Sequence, residues 1–487
     1  MQKRIELLLI ALALLAGLNV SGCATNPVTG RPDLVLMSEK QEIEVGKRNH
    51  QEILKQYRPY NDPALQNYVE GLVAELDEVS HRSHLDFHVT VLDSPQVNAF
   101  ALPGGYLYIT RGIMAYMNSE AELAGVLGHE LGHITARHGV RQQTAGTLAG
   151  ILGAGAGILT GSGQVAQAAS TGGTALVRGY GRSHELEADR LGAEYLARVG
   201  YDPEEMINVV GILKAQEDYD KQLAAEEGRE PRAYHGTFST HPANDRRLQE
   251  VVRAANKFKT SATRGANRDK FLNFMNGVVV GHSEADGILR GNKFYHKDLN
   301  LFVEFPDGWR INNLPDRLLA INGSGDAQLQ IMAGQIQSGQ TAKQYLEELT
   351  KGNLNNGEAV TTNSFDGYTG LSQISIQGNN VPARVATIVD DLRAYNIALI
   401  ARDQTILNNN DGAGYATIRS MRNLNRNEIP LAESKHIKLI RAKPGDTFSK
   451  LARRSSLSNH PVEQLRLLNG MYPDGEPTAG QLIKIVQ

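Results

Sequence analysis

The segment VLGHELGHITARHG, residues 126–139, constrains the fold and the chemistry of this chain more than any other part of the sequence. It places His129, Glu130 and His133 inside an apolar, glycine-punctuated stretch with the composition of a buried helix. Residues four positions apart lie on one face of a helix, so the two imidazoles project side by side. At that spacing two ring nitrogens can reach one metal ion at about 2 Å. Glu130 lies one position after the first histidine, near such an ion without having to bind it.

The same spacing is the His-Glu-x-x-His pattern of zinc peptidases, in which the glutamate is the general base. The alternative is a pair of histidines satisfied inside an ordinary helix, and the flanking sequence makes that the weaker interpretation. Ser119 and Glu122 fit a capping box, so we expect the helix to begin there. We expect it to run to His138 and to stop at Gly139.

A third metal ligand is predicted in the segment HELEADRLG. Glu185 and Asp189 are again four apart on a predicted helix. Glu185 would complete a site for one Zn²⁺ per chain, and Asp189 would hydrogen-bond a ligand histidine and fix its tautomer. His138 is the alternative third ligand, although five residues after His133 it rotates off the face. Glu187 is expected to be a solvated charge.

Composition limits the possible partners. A chain of 487 residues is expected to form two to four domains. Its 41% hydrophobic and 21% charged residues are ordinary for globular proteins, and the formal net charge of -3 predicts no nucleic-acid partner. The single cysteine, Cys23, excludes an internal disulfide and a cysteine-based metal site.

The N-terminus has the pattern of a secretory signal. A short basic region precedes the apolar run 7–18, which is short for a membrane-spanning helix, so we predict a signal peptide over 1–22. The sequence NVSGCATN resembles a bacterial lipobox, with Cys23 as the lipidated first residue. A plain signal peptide with an incidental cysteine is the alternative. The resemblance implies that Ala24 and Thr25 direct the protein to the outer membrane. There the acyl chains would hold it in the lipid, facing the periplasm.

The composition and the residue pattern of the chain predict further segments. Residues 23–37 read as a tether and 261–290 as a polar linker, and the alternating pattern over 291–430 predicts an α+β module of unknown role. The uncharged Gly/Ala-rich stretch 144–176 has three interpretations: a small-residue helical hairpin, a mobile or membrane-touching lid, or a transmembrane span. The high glycine content makes the span the least favoured of the three.

Four ordered motifs carry a family resemblance. His129-Glu130-Leu-Gly-His133 followed by Glu185-Leu-Glu-Ala-Asp189 resembles the gluzincin peptidases of the HtpX and BepA type, relatives of the CaaX prenyl endopeptidases. The segments NAFALPGG and STHP match that family too. We therefore predict a metallopeptidase domain over 38–260. The resemblance implies an α+β fold with a mainly helical, zincin-like domain that holds a small sheet.

The resemblance also implies roles for residues outside the two ligand motifs. His241 matches a histidine that either caps the metal in a latent state or contacts the reacting carbonyl; a simple turn histidine before proline is the alternative. Arg247 matches an arginine that faces the site. An edge strand would line the cleft and pair with an extended substrate, and its residues are Asn98, Ala99, Phe100 and Ala101.

The C-terminal residues 436–487 resemble a small βααβ LysM module. The matching parts are PGDT at 444–447, LNG at 468–470 and AGQL at 479–482. Membership would imply binding to N-acetylglucosamine-containing glycans such as peptidoglycan. The alternative is a LysM-like packing module without a ligand.

Together these patterns predict a zinc-dependent metalloendopeptidase of the bacterial envelope that cleaves misfolded or unassembled envelope proteins. It would be latent until His241 is released. Three other functions stay open at this point: a peptidoglycan-cutting metallohydrolase, a peptidoglycan-associated scaffold or chaperone, and a glycan-binding structural lipoprotein that holds no metal.

Overall fold

The computed structural model describes residues 23–147, 181–228, 245–258, 264–376 and 378–487. The chain divides into two compact units, Met1–Val280 with Lys435–Gln487, and Gly281–Ser434. The predicted signal peptide, most of the Gly/Ala-rich stretch and His241 lie outside the described residues. Among the helices in these ranges, none combines the length and the apolar character needed to cross a membrane.

The first unit is mainly helical with a small sheet, which confirms the predicted α+β class. Its helices are α1 (Glu39–Gln56), α2 (Pro63–Glu78), α3 (Arg111–Tyr116), α4 (Glu120–Thr135), α5 (Arg182–Arg198), α6 (Glu205–Glu227), α7 (Asp245–Phe258) and α8 (Arg268–Met275). Its strands before the C-terminal residues are β1 (Cys23–Thr25), β2 (Pro32–Leu34), β3 (His88–Leu92), β4 (Ala99–Leu102), β5 (Tyr106–Thr110) and β6 (Val279–Val280).

Helix α2 illustrates how local sequence sets these elements. The Asp62 carboxylate accepts the Leu65 backbone N–H at 3.0 Å, and Pro63 occupies the first helical position, where its missing N–H is not needed. The buried residues follow a helical period and form one apolar face; they are Leu65, Val69, Leu72, Val73 and Leu76. That face packs into the same core as the motif helix α4.

The small sheet has the order β3-β5-β4, with β3 parallel and β4 antiparallel to β5. The turn between β4 and β5 needs two glycines, because Gly104 and Gly105 have φ of 81° and 102°. A Cβ on Gly105 would also lie 2.3 Å from the Asp86 carbonyl oxygen. These glycines allow the tight turn that pairs β4 with β5, and β4 lies at the edge of this three-stranded sheet.

The motif helix ends earlier than predicted. Helix α4 stops at Thr135 rather than His138, because Arg137 takes a left-handed conformation with φ of 56°. The Arg137 guanidinium donates to Glu42 Oε2 and to the Met37 carbonyl oxygen, both at 2.9 Å. Residues 138–147 then continue as a separate helical segment, so the stop at Gly139 was also wrong.

The tether and linker segments contain regular structure. Strands β1 and β2 pair as a short hairpin within the predicted tether. Within 261–290 lie α8 and β6, and three side chains of its first part contact the Glu120 carboxylate; they are Arg264, Asn267 and Lys270. The polar residues of this segment are therefore not all solvent-exposed linker residues, because some of them hold the segment to Glu120 of α4.

The C-terminal residues form the predicted strand–helix–helix–strand order, with β17 (Lys435–Arg441), α11 (Phe448–Ala452), α12 (Pro461–Leu468) and β18 (Leu482–Val486). Strand β6 pairs with β17, so the sheet order is β18-β17-β6. Phe448 and Ile485 belong to the same continuous core as Phe271 and Met275 of α8. The C-terminal module is therefore packed into the first unit.

A buried lysine joins this module to the peptide segment before the motif helix. Lys484 is completely buried, and its Nζ donates to the carbonyl oxygens of Ala115 at 2.6 Å and Met117 at 2.7 Å. Burial lowers the pKa of the Lys484 ammonium, and burial raises the pKa of the neighbouring Glu122 to about 7. Asn469 holds the Lys484 backbone through both its amide oxygen and its amide nitrogen, each at 2.9 Å.

The second unit is an α+β module. A three-stranded sheet comprises β7 (Ile288–Arg290), β8 (Lys293–His296) and β9 (Leu301–Glu304). A seven-stranded antiparallel sheet has the order β10-β11-β12-β16-β15-β14-β13. Its strands are β10 (Arg310–Asn313), β11 (Leu318–Ile321), β12 (Ala327–Gln335), β13 (Asn355–Thr361), β14 (Asp366–Ile376), β15 (Asn379–Asp390) and β16 (Arg393–Ala401).

Two helices cover opposite faces of the seven-stranded sheet. Leu346 of α9 (Ala342–Leu349) packs with Val385, whereas Leu407 of α10 (Gln404–Ser420) packs with Ala386. Successive residues of a strand point to opposite faces, so the two helices lie on different sides.

Candidate metal centre

Small residues let the two ligand-bearing helices approach closely. A Cβ on Gly128 would lie 3.4 Å from the Gly192 Cα, and a Cβ on Gly132 would lie 3.2 Å from the Ala188 Cα. A Cβ at Gly132 would be closer to α5 than is usual, and one at Gly128 would already touch the Gly192 backbone, so small residues permit this close crossing. The close crossing lets the first turn of α5 reach the histidines of α4.

The predicted donor set comes together at this crossing. His129 Nε2 and His133 Nε2 lie 3.0 Å apart. Glu185 places Oε2 at 3.6 Å from His129 Nε2 and Oε1 at 3.5 Å from His133 Nε2. All three residues are buried, and within the described part of the chain they form a cluster whose donor atoms lie within 4.8 Å of one another. Two imidazoles and a carboxylate converging in this way fit a single divalent metal ion.

Asp189 lies behind the first histidine. Its Oδ1 is 2.9 Å from His129 Nδ1, on the ring edge opposite the donor cluster. A carboxylate at Nδ1 favours the tautomer that carries its proton there and leaves Nε2 as an acceptor or ligand. Glu185 and Asp189 therefore lie one turn apart on α5, the first in the donor cluster and the second beside His129 Nδ1.

The second histidine is held by a different pair of residues. His133 Nδ1 lies 2.9 Å from His138 Nδ1, and His138 Nε2 lies 3.1 Å from Glu187 Oε2. His138 therefore contacts the back of a predicted ligand and is not part of the donor cluster. Glu187 was predicted to be a solvated charge, which is wrong, because it contacts both His138 and Arg141.

The environment of these groups shifts their pKa values. Burial lowers the pKa of His138, and burial lowers that of His184 to about 4. The hydrogen bond from His138, reinforced by Arg141, lowers the pKa of the Glu187 carboxyl to about 2. The sequence contained the residues of this cluster, but their contact depends on the left-handed turn at Arg137, which no local motif indicated.

Glu130 is buried on α4, next to His129 in sequence. This position agrees with the predicted general base, which must lie beside the metal without belonging to the ligand set. Its role remains a prediction.

The predicted substrate strand lies beside the site. Ala101 and Leu102 of β4 line a small cavity together with His133. Ala99, Ala101 and Leu102 are buried and Phe100 is partly exposed, while Asn98 immediately precedes the strand. In the described three-stranded sheet one side of β4 pairs with β5, and the other side is not paired with a strand.

Two predicted residues cannot be placed in the site. His241 lies outside the described residues. Arg247 lies in helix α7, which packs against α5, but its side chain is not among those described. Cys23 is the first residue of β1.

Comparison with known proteins agrees with this geometry. Residues 61–255 match peptidase family M48, and this range contains the donor cluster and β4. The chain therefore contains an M48 metallopeptidase domain. Residues 440–486 match the LysM domain, so the C-terminal module is a LysM domain. Peptidases of family M48 depend on a metal ion, and the residues His129, His133 and Glu185 fit one.

Named relatives share only part of their length with this chain. It is 30% identical over 234 residues to the beta-barrel assembly-enhancing protease of Yersinia pestis, which covers 46% of this chain and 45% of the relative. The protein of the same name from Escherichia coli strain K12 is 29% identical over 232 residues, with the same coverage. Mitochondrial metalloendopeptidase OMA1 of Schizosaccharomyces pombe is 27% identical over 229 residues, or 46% of this chain and 64% of the relative. The chain thus spans about half the length of the first two relatives.

Proposed function

We propose that this chain is a zinc-dependent endopeptidase of the bacterial envelope that hydrolyses peptide bonds in protein substrates. The convergence of His129, His133 and Glu185, with Glu130 adjacent on the same helix, carries the proposal. Three protein ligands is the number that catalytic zinc sites use, so these residues would hold zinc and leave it accessible to water. Zinc held by these residues would lower the pKa of water toward neutrality and polarise the peptide carbonyl.

The side chains of this chain account for the proton transfers. The Glu130 carboxylate takes a proton from the attacking water and then gives it to the leaving amine. Asp189 keeps the His129 proton on Nδ1, so Nε2 stays available as a ligand. Burial of the donor residues excludes bulk water and strengthens the electrostatic interactions inside the site.

Strand β4 is proposed to hold the substrate. An extended peptide added to its unpaired side would hydrogen-bond to the main chain near Asn98 to Ala101. The shared cavity between Ala101 and His133 supports this placement, because it brings the added strand close to the ligand histidines.

The roles of His241 and Arg247 rest on the family resemblance. We propose that His241 occludes the metal in a latent state and that Arg247 stabilises the oxyanion once the site opens. The position of α7 beside α5 supports the second role, because α5 carries Glu185.

The proposed location and substrate class rest on different observations. The lipobox-like sequence supports an anchor at Cys23 in the outer membrane, and the LysM domain supports contact with peptidoglycan from the periplasmic side. The names of the two bacterial relatives refer to barrel assembly. They support misfolded or unassembled envelope proteins as the substrate class.

The test measures metal content and cleavage of casein, an unfolded protein, in four full-length proteins: the parent, Glu130→Gln, His241→Ala and the double variant. We expect one zinc ion per chain in all four. His241→Ala should cleave casein. The double variant should not, because it lacks the general base although it keeps the metal ligands. Metal-free parent protein would contradict the metal site, and cleavage by the double variant would contradict the role of Glu130. Cleavage by the parent at the rate of His241→Ala would contradict latency.

The LysM domain favours a second candidate, a metallohydrolase that cuts peptidoglycan. Incubation of His241→Ala with purified sacculi separates the two functions. We expect no soluble muropeptides, and their release without casein cleavage would favour the second candidate.

A further inference from the structure

His138 has no part in the proposed mechanism, yet it is one of the groups closest to the metal ligands. Its Nδ1 lies 2.9 Å from Nδ1 of His133, and its side chain is completely buried. Two ring nitrogens at this distance share one hydrogen, because one of them must donate and the other must accept.

The ligand role of His133 decides which nitrogen donates. Its Nε2 points into the donor cluster and must be free of a proton to bind a metal. In a neutral imidazole the proton is then on Nδ1, which donates to Nδ1 of His138. His138 consequently carries its own proton on Nε2, and it donates that proton to Glu187 Oε2 at 3.1 Å.

The outer members of this chain are themselves held in place. Arg141 donates to Glu187 Oε2 at 3.0 Å and lies 3.3 Å from Asp33 of β2. His184 stacks on the His138 ring with centroids 4.3 Å apart and an interplanar angle of 16°. The position and plane of His138 are therefore set from two directions.

We propose that His138 and Glu187 position His133 for metal binding, as Asp189 does for His129. His138 accepts the Nδ1 proton of His133, and Glu187 keeps the acceptor nitrogen of His138 turned toward it. Both are positioning residues that act through His133, and the inference rests on the proposed metal site. The two ligand histidines would thus be oriented by different chemistry, one by a carboxylate and the other by a neutral imidazole backed by a carboxylate.

The experiment measures zinc affinity by competition with a chromophoric chelator in the full-length chain. His138→Phe keeps the ring that stacks on His184 but removes the acceptor, and we expect its affinity for zinc to fall 10–100-fold. His138→Asn places an amide oxygen where it can accept from His133 Nδ1, and we expect it to recover most of that loss. Glu187→Gln should weaken binding by a smaller factor, about threefold to tenfold, because its amide oxygen still accepts a hydrogen bond.

His81→Phe is the matched control. His81 hydrogen-bonds to the Tyr195 hydroxyl of α5 at 2.8 Å but touches no predicted ligand, so its zinc affinity should equal that of the parent. Thermal unfolding of each metal-free variant checks that the fold is retained. If His138→Phe does not fold, Glu187→Gln decides alone.

Two results would overturn the inference: zinc affinity of His138→Phe or Glu187→Gln within twofold of the parent, or equal losses in His138→Phe and His138→Asn. Glu185→Ala separates this inference from the proposed function. If Glu185→Ala loses zinc while His138→Phe retains it, the metal site stands and only the positioning role fails. If Glu185→Ala binds zinc as the parent does, the metal site itself is wrong.

Discussion

Glu120, the first residue of the motif helix, shows how a buried carboxylate can fix the start of a functional element. It accepts hydrogen bonds from the hydroxyls of Tyr68 at 2.9 Å and Tyr201 at 2.6 Å. Lys270 Nζ lies at 2.6 Å and an Arg264 nitrogen at 2.8 Å. Negative charge in the first turn also suits the helix dipole. Although burial raises the pKa of Glu120, these donors outweigh it and lower the value to about 2.

This shift predicts a dependence of stability on pH. Because the folded pKa lies below the ordinary value of 4.5, Glu120 stabilises the fold above pH 4.5, and that contribution is lost as pH falls toward 2. Glu120→Gln should lower the free energy of unfolding at pH 7 by roughly 1–3 kcal/mol. Between pH 4.5 and 2, the free energy of unfolding of Glu120→Gln should decrease less than that of the parent. Urea titrations of the metal-free proteins across this range measure both effects.

Glu75 offers the control for this prediction. It pairs with the same Arg264, but its side chain is half exposed. Glu75→Gln should change the free energy of unfolding by less than about 1 kcal/mol, as is usual for surface ion pairs. If the free energies of unfolding of the parent and Glu120→Gln depend on pH in the same way, the stabilising role of the ionised Glu120 is wrong.

Residue-level prediction from sequence succeeded where spacing alone decides position. The four-residue spacing of His129 and His133, and of Glu185 and Asp189, fixes which side chains share a helix face. The supporting contacts could not be predicted in this way. Those of Glu120 come from residues more than 50 positions away on either side, and no local pattern encodes such distances.

At the scale of elements, the approach of α4 and α5 decides whether Glu185 reaches the histidines. A Cβ on Gly192 would lie 3.2 Å from the His129 backbone nitrogen and 3.2 Å from the Met206 side chain. Gly192→Ala therefore requires the His129 backbone or the Met206 side chain to shift by a few tenths of an ångström. We expect a destabilisation of roughly 1–3 kcal/mol together with weaker zinc binding. Denaturant titration and chelator competition measure the two effects.

Gly211 is the matched control on α6, because a Cβ there would meet no atom of the described residues within 4 Å. Gly211→Ala should leave zinc affinity unchanged and stabilise the helix by about 0.5–1 kcal/mol through helix propensity. If Gly192→Ala and Gly211→Ala have equal effects, the close approach of α4 and α5 does not depend on the small residue at position 192.

The start of the motif helix was predicted correctly, whereas its end was not. The Ser119 side chain caps α4 by accepting the Glu122 backbone N–H. The end of α4 depended instead on Arg137 reaching Glu42 on a different helix. A non-glycine residue with positive φ has no reliable sequence signature, so the predicted helix was three residues too long.

At the scale of the whole molecule, the LysM domain is built into the first unit. Its sheet is completed by β6, and its core is continuous with that of α8. Sequence similarity identified the module but not this packing. An apolar pattern predicts that a face is buried, but it does not show whether that face packs inside the module or against a neighbouring domain. Lys484 differs from the apolar contacts, because a fully buried lysine needs specific partners, and here these are the carbonyl oxygens of Ala115 and Met117.

Lys484→Met tests this integration in the full-length chain. Methionine keeps the length and the apolar stem but leaves the carbonyl oxygens of Ala115 and Met117 without their donor, which costs about 1–3 kcal/mol for each buried group left unsatisfied. We expect the unit that holds the peptidase domain to unfold at lower temperature. Zinc affinity should fall as well, because Met117 lies two residues before the capping residue of the motif helix. Lys438→Met, on the exposed side of β17, should change neither quantity. If Lys484→Met behaves like Lys438→Met, the LysM domain stabilises only itself, and the peptidase domain does not depend on it for the position of its metal ligands.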